Sequence, residues 1–224
     1  MILGTGALGA SALDGAAIRR ALETLGLSEV LAVVSENATP RDLAGLRAEA
    51  VRGSLEQLDA LLAVARTTRA PRLILELPSD LDLEDACRGL FGVARRTPAL
   101  ELAVITPHSG PLAAPESLGL LFEDLTSQRI RYWHRPAAAA LVGTPDGPPG
   151  DEWLNVLDRH LVGMSLDDVA GTEAGLPPGT GEIDFAALAS WTSGKLDLAL
   201  DVHAVPDVGL LSMALALLNS VGLS

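Results

Sequence analysis

The regular alternation of short apolar runs with longer amphipathic runs constrains the fold of this chain more than any other feature. Seven short runs rich in Val, Ile and Leu have the length of β-strands: 2–5, 29–35, 72–77, 100–106, 130–134, 161–166 and 196–202. The runs between them carry apolar residues at helical spacing. Strict alternation indicates a parallel sheet, and seven units predict an α/β fold, a (β/α) TIM-type barrel with one βα unit missing, irregular or unrecognised.

The stretch 43–66 is the longest of the predicted helical runs. Its apolar residues recur on one side of a helix: Leu46, Ala50, Leu55, Leu58 and Leu62. This spacing predicts one long helix. The interval 36–72 is nevertheless long enough to conceal an irregular element.

Composition limits the class of protein. With 224 residues and 48% hydrophobic content, the chain can bury one large core, so a single domain over 1–224 is predicted. A net charge of -13 opposes contact with nucleic-acid phosphates. One cysteine excludes an intrachain disulfide, and the longest apolar runs are too short to cross a membrane. We expect a cytoplasmic protein that binds neither nucleic acid nor membrane.

The segment 161–191 combines a strand, a Pro/Gly-rich loop and an acid-capped helix. Asp167 and Asp168 follow the strand at its C-terminal end, where parallel barrels place their sites. Gly179 and Gly181 would let backbone amides approach a ligand closely, which predicts a substrate-side loop. The alternative is a loop that only turns the chain and caps the helix at Asp184.

Four successive segments resemble the second half of the xylose-isomerase-like TIM barrels. They are LELAVITPHSGPLAAPESLGLLFEDL, RIRYWHRPAAA, LVGMSLDDVAG with LPPGTGEIDFAALASW, and LDLALDVH. That group contains sugar and sugar-phosphate isomerases and epimerases, and also apurinic endonucleases. The resemblance covers residues 70–224 and is looser before them. It implies a divalent metal (Mn, Mg, Zn or Co) at the strand ends, which binds substrate oxygens and assists proton or hydride transfer between neighbouring carbons.

The metal ligands that this resemblance implies are only partly present. Glu101 lies on the strand that supplies the family's first metal glutamate, and Asp201 corresponds to the last one. Asp168 matches the final aspartate of a His-x-His-Asp motif. In the family, the strand after that of Glu101 ends in an aspartate followed three positions later by a histidine, and here Arg135 and Ala138 stand at those two positions.

An arginine at a ligand position adds a positive charge that opposes a metal directly. We therefore expect the metal site to be atypical or absent, with Glu101, Asp168 and Asp201 as the ligands if a metal binds. Side chains alternate in direction along a strand, so Asp201 and His203 share a face, which is the barrel interior if Leu200 and Val202 face the helices. The predicted catalytic residues are Glu101, Asp201 and His203. The predicted substrate-binding residues are Glu76, Trp133, His134, Arg135, Gly179 and Gly181.

Each candidate also has a purely structural interpretation. His134 could be a hydrogen-bonded core histidine, and Asp167 and Asp168 could only cap the following loop. Glu76 and Glu101 are costly inside apolar strands unless they are paired or functional. Arg129, Arg131 or Arg135 would be the partners in the paired case.

The N-terminal glycines offer a competing fold. Gly4, Gly6 and Gly9 match the dinucleotide fingerprint G-x-G-x-x-G, and Glu36 ends the second strand, where a ribose-binding acid would belong. The fingerprint requires a full strand before it and a helix that starts within it. Only three residues precede Gly4, and the helix is predicted to start later, near Asp14. A first βα loop of the barrel is therefore favoured.

Two functions remain open at this point. One is a sugar or sugar-phosphate isomerase or epimerase that acts on a small hydroxycarbonyl compound at the C-terminal mouth of the barrel. The other is a catalytically inactive barrel that binds a sugar-like ligand or a partner. A homodimer would follow if a shortened barrel exposed an apolar edge.

Overall fold

Eight parallel strands close into a barrel in the computed structural model, which describes residues 1–5, 15–34, 43, 46–125, 129–142, 151–192, 196–202 and 208–223. The barrel strands are β1 (Ile2–Gly4), β2 (Val30–Val33), β3 (Ala48–Ser54), β4 (Arg72–Glu76), β5 (Glu101–Ile105), β6 (Ile130–His134), β7 (Leu161–Leu166) and β10 (Asp197–Leu200). Each strand pairs with its neighbours in chain order, and β1 pairs with β10 to close the barrel. The predicted TIM-type barrel is confirmed, and the eighth strand, which the sequence did not reveal, is β3.

Helices surround the barrel. They are α1 (Gly15–Leu25), α2 (Leu58–Thr68), α3 (Leu83–Arg96), α4 (Pro115–Asp124), α5 (Pro136–Val142), α6 (Asp151–Leu157), α7 (Phe185–Ala189) and α8 (Val208–Ser220). The cap predicted at Asp184 is present, because its carboxylate accepts the N–H groups of Ala186 and Ala187 at 3.0 Å. Within the described residues, no helix is long and apolar enough to cross a membrane.

The long helix predicted over 43–66 is wrong in its first half. Residues 48–54 form β3, and α2 begins only at Leu58. The sequence AEAVRGS contains good helix formers, so its local propensity does not indicate a strand. Tertiary packing decides the structure: Val51 faces the helices, while Ala50 lines the barrel interior. Gly53 passes so close to β2 that a Cβ atom there would lie 2.7 Å from the carbonyl oxygen of Val34.

The closed barrel also settles two other expectations. A dinucleotide-binding fold is an open sheet, so that alternative is wrong. Gly6, Gly9, Asp14 and Glu36 lie outside the described residues. Closure removes the apolar sheet edge on which the homodimer prediction depended. Association of two copies itself stays a prediction.

The buried core has two layers. The outer layer lies between strands and helices and includes Leu73, Leu75 and Val104. The inner layer lies inside the barrel and contains, among the described residues, eight buried apolar ones: Ile2, Leu31, Ala50, Ile74, Ala103, Ile105, Trp133 and Ala199. Trp133 is the largest of these side chains, and a Cβ atom at Gly163 would overlap its ring. This inner apolar layer separates two sets of charged residues, one at each end of the barrel.

A short antiparallel hairpin follows β7 at the C-terminal mouth. It consists of β8 (Asp168–Ala170) and β9 (Glu173–Leu176), which pair with each other. The sequence predicted only a Pro/Gly-rich loop in this segment. The hairpin is therefore an addition to the predicted barrel, placed beside the strand ends that concern function.

Candidate functional site

A buried ion pair joins two strand ends at the C-terminal mouth. Arg52 on β3 donates through Nη1 to Oδ2 of Asp201, which directly follows β10. The two side chains are 7% and 2% exposed. Ser165 on β7 donates to the same oxygen at 2.9 Å, and Trp133 Nε1 donates to Ser165 Oγ at 3.0 Å. Asp201 is therefore held inside the barrel, as strand alternation predicted.

Gly4 provides the space that Asp201 occupies. A Cβ atom at Gly4 would lie 2.9 Å from Asp201 Oδ1 and 3.0 Å from Asp201 Cα. The first glycine of the apparent dinucleotide fingerprint therefore has a packing role here: it allows β1 and the end of β10 to approach each other.

Glu76 extends the Arg52–Asp201 pair toward solvent. Its Oε1 lies 3.2 Å from Arg52 Nε, and its side chain is 45% exposed. The contact is an ion pair without a hydrogen bond, because Arg52 Nε has no hydrogen-bond partner. Glu76 faces the barrel interior, as Ile74 does. Its ion-pair partner is Arg52. The predicted partners were Arg129, Arg131 and Arg135.

A second buried ion pair lies beside the first. Arg135 follows β6 and donates through Nε and Nη2 to Oδ2 of Asp167, at 2.9 and 2.7 Å. Asp167 follows β7 and is fully buried, while the Arg135 side chain is 16% exposed. Burial raises the pKa of Asp167 to about 6, although the charge of Arg135 opposes this shift. The other carboxylate oxygen, Oδ1, is buried and has no hydrogen-bond partner.

The backbone at Arg135 is fixed by a chain of polar contacts. The N–H of Arg135 donates to Thr106 Oγ1 at 2.8 Å. Thr106 Oγ1 lies 2.7 Å from Tyr132 OH, which lies 2.7 Å from His134 Nδ1. His134 is fully buried on the helix-facing side of β6, and burial lowers its pKa to about 3. These contacts favour a neutral core histidine over the predicted substrate contact at His134. Trp133 is also fully buried.

Asp168 organises the loop that follows the hairpin. Its two carboxylate oxygens accept backbone N–H groups at 2.8–3.0 Å. The four donors are Val169, Gly179, Gly181 and Ile183. Gly179 has φ +88°, a conformation that side chains disfavour. The contacts therefore favour the turn-and-cap interpretation of this loop.

Glu101 lies at the opposite end of the barrel from Asp201. It is the first residue of β5, beside Arg72, the first residue of β4. Arg72 Nε donates to Glu101 Oε2 at 2.8 Å, and Nη1 donates to Asp197 at the start of β10. The Arg72 guanidinium also lies 5.6 Å from the ring centroid of Trp133. The expectation that Glu101 and Asp201 act at one mouth is wrong in geometry, and His203 lies outside the described residues.

A pocket of about 260 Å³ opens at the C-terminal ends of β4 and β5. The lining residues that carry polar groups include Ser54, Glu76, Thr106, His108 and Arg135, and Ile105 adds an apolar surface. His108, in the loop after β5, is exposed. Arg52 was not among the predicted site residues, because its strand, β3, was predicted to be part of a long helix. Burial opposes the charge of Arg135, but nearby carboxylates, Asp167 first among them, raise its pKa overall.

The residues at this mouth do not fit the divalent metal that the family resemblance implies. Asp201 and Asp167 each accept hydrogen bonds from a guanidinium group, so two fixed positive charges lie where a cation would bind. Among the described residues, no three His, Cys, Asp or Glu side chains converge in a metal-binding arrangement. The predicted ligand set is also dispersed, because Glu101 lies at the far end and Asp168 binds backbone amides.

Comparison with known proteins shows the fold. No protein-family model matches the sequence, and no curated protein matches it either. The probable 3-DHS dehydratase AsbF of Bacillus anthracis, which is involved in petrobactin synthesis, superposes with TM-score 0.75 at 10% identity over 98% of this chain and 99% of that one. The IOLI protein, solved with a binding zinc atom, superposes with TM-score 0.70 at 11% identity over 99% of this chain and 98% of that one.

A third solved structure supplies the name of the fold. A xylose isomerase-like TIM barrel protein from Mycobacterium smegmatis, in complex with magnesium, gives TM-score 0.66 at 11% identity over 100% of this chain and 97% of that one. The chain thus has the fold of the xylose isomerase-like TIM barrels. Identities this low show the fold alone, so activity has to be argued from the residues at the mouth.

Proposed function

We propose that the protein binds a small sugar-like ligand in the mouth pocket without a divalent metal. The observation that carries this proposal is the pocket itself, in which the Arg135 cation, the Glu76 carboxylate and several hydroxyl groups share one cavity. TIM barrels place their ligand sites at this end. Two ion pairs fill the inner mouth, which leaves no described cluster of acids for a metal.

The chemistry of the pocket suits a hydroxylated compound. Hydroxyls donate and accept hydrogen bonds, and the pocket offers both kinds of partner: Glu76 accepts, Arg135 donates, and Ser54 can do either. Ile105 provides an apolar surface for the C–H groups of a carbon chain. A pocket of about 260 Å³ lies just below the range of drug-sized sites, so it suits a ligand of roughly four to six carbons.

Ligand-induced stabilisation tests this proposal. Small sugars, polyols and sugar acids are added to the purified protein in excess EDTA, and the unfolding temperature is followed. A ligand at a hundred times its Kd should stabilise the protein by about 2.7 kcal/mol. Arg135→Gln should reduce the shift, whereas Arg88→Gln, which breaks exposed ion pairs on α3, should not. A shift that appears only after Mn²⁺, Mg²⁺, Zn²⁺ or Co²⁺ is added would contradict the metal-independent proposal.

Proton transfer between neighbouring carbons is the second candidate function. The observation in its favour is Glu76, a carboxylate that is 45% exposed in the pocket and lies next to the Arg52 cation. A carboxylate in reach of a hydroxycarbonyl substrate can remove and return a proton. Aldoses and ketoses incubated with the protein in D₂O would then exchange a carbon-bound hydrogen, which NMR detects.

The matched variants distinguish catalysis from binding. Glu76→Gln should abolish the deuterium exchange, while Glu84→Gln on the exposed face of α3 should leave it unchanged. A ligand that binds without any exchange would support the binding module and contradict the isomerase.

A further inference from the structure

We infer that the ligand of the mouth pocket carries a protonated amino group that binds to Glu76, so that its class is the small amino polyols and amino sugars. This inference rests on the proposed function, because it names the chemical class of the ligand at that site. Two observations carry it: the balance of charges at the mouth, and the position of Glu76 in the pocket.

The described ion pairs at the mouth leave an excess of one negative charge. Arg52 pairs with Asp201, and Arg135 pairs with Asp167. Both aspartates are buried, so each pair is neutral as a unit. Glu76 is the remaining acid, and three carboxylates against two guanidinium groups give a net charge of -1. A ligand with one positive charge neutralises this excess, whereas an anion would add to it.

Glu76 is the one acid among the described residues that line the pocket. Its side chain is 45% exposed, so a ligand can reach it. Its Oε1 atom lies 3.2 Å from Arg52 Nε without a hydrogen bond, which leaves the carboxylate able to accept hydrogen bonds from a ligand. An ammonium group donates charge-assisted hydrogen bonds, which are stronger than those of a neutral hydroxyl. Glu76 therefore favours an amine over a hydroxyl at this position.

The rest of the lining suits a hydroxylated chain that carries the amine. Pro78 and Pro107 have no backbone N–H group, so neither position offers the backbone donor that an anion would require. Ser54 Oγ accepts the backbone N–H of Glu56 at 3.2 Å, and its proton can be donated to a ligand oxygen. The pocket thus combines a carboxylate for the amine with a hydroxyl for the chain.

Arg135 determines which end of the ligand lies at Glu76. Its guanidinium group lines the same pocket and repels an ammonium group, so the amine lies at the carboxylate and the uncharged chain extends toward the arginine. The repulsion is reduced because Asp167 Oδ2 accepts a hydrogen bond from Arg135 Nη2 at 2.7 Å. A divalent metal needs several oxygen ligands at once, whereas an ammonium group needs only one carboxylate together with neutral acceptors.

Three open-chain compounds that differ only in one terminal group test the inference. They are glucamine, glucitol and gluconate, which end in an ammonium, a hydroxyl and a carboxylate group. Their affinities are measured by calorimetry in excess EDTA, at a pH well above 6, where Asp167 is ionised. We expect glucamine to bind about 3- to 10-fold more tightly than glucitol, less than a fully buried charge pair would give, because Glu76 is 45% exposed. Gluconate should bind more weakly than glucitol.

Variants at Glu76 test whether its charge causes the preference. Glu76→Gln keeps the size of the side chain and should bring the affinities for glucamine and glucitol to about the same value. Glu76→Asp keeps the charge on a shorter side chain and should keep part of the preference. Glu84→Gln removes an exposed acid on α3 and should leave the preference unchanged. Circular dichroism shows that each variant is folded.

The outcomes separate this inference from the proposed function. The amine assignment would be overturned if glucamine bound no more tightly than glucitol, if gluconate bound most tightly, or if Glu76→Gln kept the full preference. Each of these results would leave metal-independent binding standing. If the folded wild-type protein bound none of the three compounds in EDTA, both the inference and the proposed function would be overturned.

Discussion

Substitution of Asp201 by alanine should destabilise the protein severely, because among the described residues it leaves the buried Arg52 only one acid within ion-pair distance, the partly exposed Glu76. Arg52 is 7% exposed, and its other carboxylate contact, Glu76, is 45% exposed and forms no hydrogen bond to it. Ser165 loses its acceptor in the same variant. The change therefore leaves an uncompensated cation and an unsatisfied hydroxyl inside the barrel.

The magnitude follows from the burial of the pair. Removing one partner of a buried ion pair costs about 3–5 kcal/mol. Chains of this length lose about 2–4 °C in Tm for each kcal/mol, so a fall of roughly 6–20 °C is expected. Replacing both partners, Arg52→Met with Asp201→Ala, should recover much of that loss, since no buried charge remains.

Denaturant unfolding and thermal unfolding both measure this effect. Asp59→Ala is the matched control, because Asp59 also pairs with an arginine, Arg96, but both side chains lie at the surface. That variant should unfold close to the wild type. If Asp201→Ala costs no more than Asp59→Ala, or if the double variant is less stable than the single one, the buried-pair argument is refuted.

Three further predictions concern other positions. Burial raises the pKa of Asp167 from 3.8 to about 6, so the free energy of unfolding has its full value below pH 3.8 and falls as Asp167 ionises up to and through pH 6. Asp167→Asn does not ionise, so across that range the difference in free energy of unfolding between this variant and the wild type should change by about 3 kcal/mol in favour of the variant. Denaturant unfolding at several pH values measures this change. Gly163→Ala should lower stability by about 1–3 kcal/mol by overlapping the Trp133 ring, and near-ultraviolet circular dichroism should report the displaced indole. Asp168→Ala removes the acceptor of four backbone amides, so hydrogen exchange should rise over 177–183 while barrel strands stay protected. The three predictions would be contradicted, in turn, by a stability difference for Asp167→Asn that does not change with pH, by an unchanged near-ultraviolet spectrum of Gly163→Ala, and by unchanged hydrogen exchange in Asp168→Ala.

Seven strands were predictable because their signals are local. Each combines a short apolar run with flanking turn residues, and burial on both faces keeps that run apolar in a parallel barrel. The strand β3 was not predictable in this way, because alanine, glutamate and arginine favour helices. Its strand conformation depends on β2 and β4 on either side, which only the closed barrel supplies.

The candidate site was predictable where strand alternation decides direction. Leu200 and Val202 pack toward the helices, so Asp201 between them must face the interior. The position of Glu101 in its strand contradicted the role that the family resemblance implied. Glu101 stands near the start of the predicted strand, and strand starts lie at the N-terminal end of a parallel barrel, away from the mouth where sites form. The ion pairs were beyond prediction, because Arg52 and Asp201 are 149 residues apart in sequence.

Calorimetric titration of small sugars and polyols in excess EDTA, with the wild type and the Glu76→Gln variant, tests metal-independent binding in the mouth pocket. The wild type should bind at least one of these compounds with no metal present, and Glu76→Gln should bind it more weakly. Binding that requires an added divalent ion, or equal binding by the two proteins, would contradict metal-independent binding in this pocket.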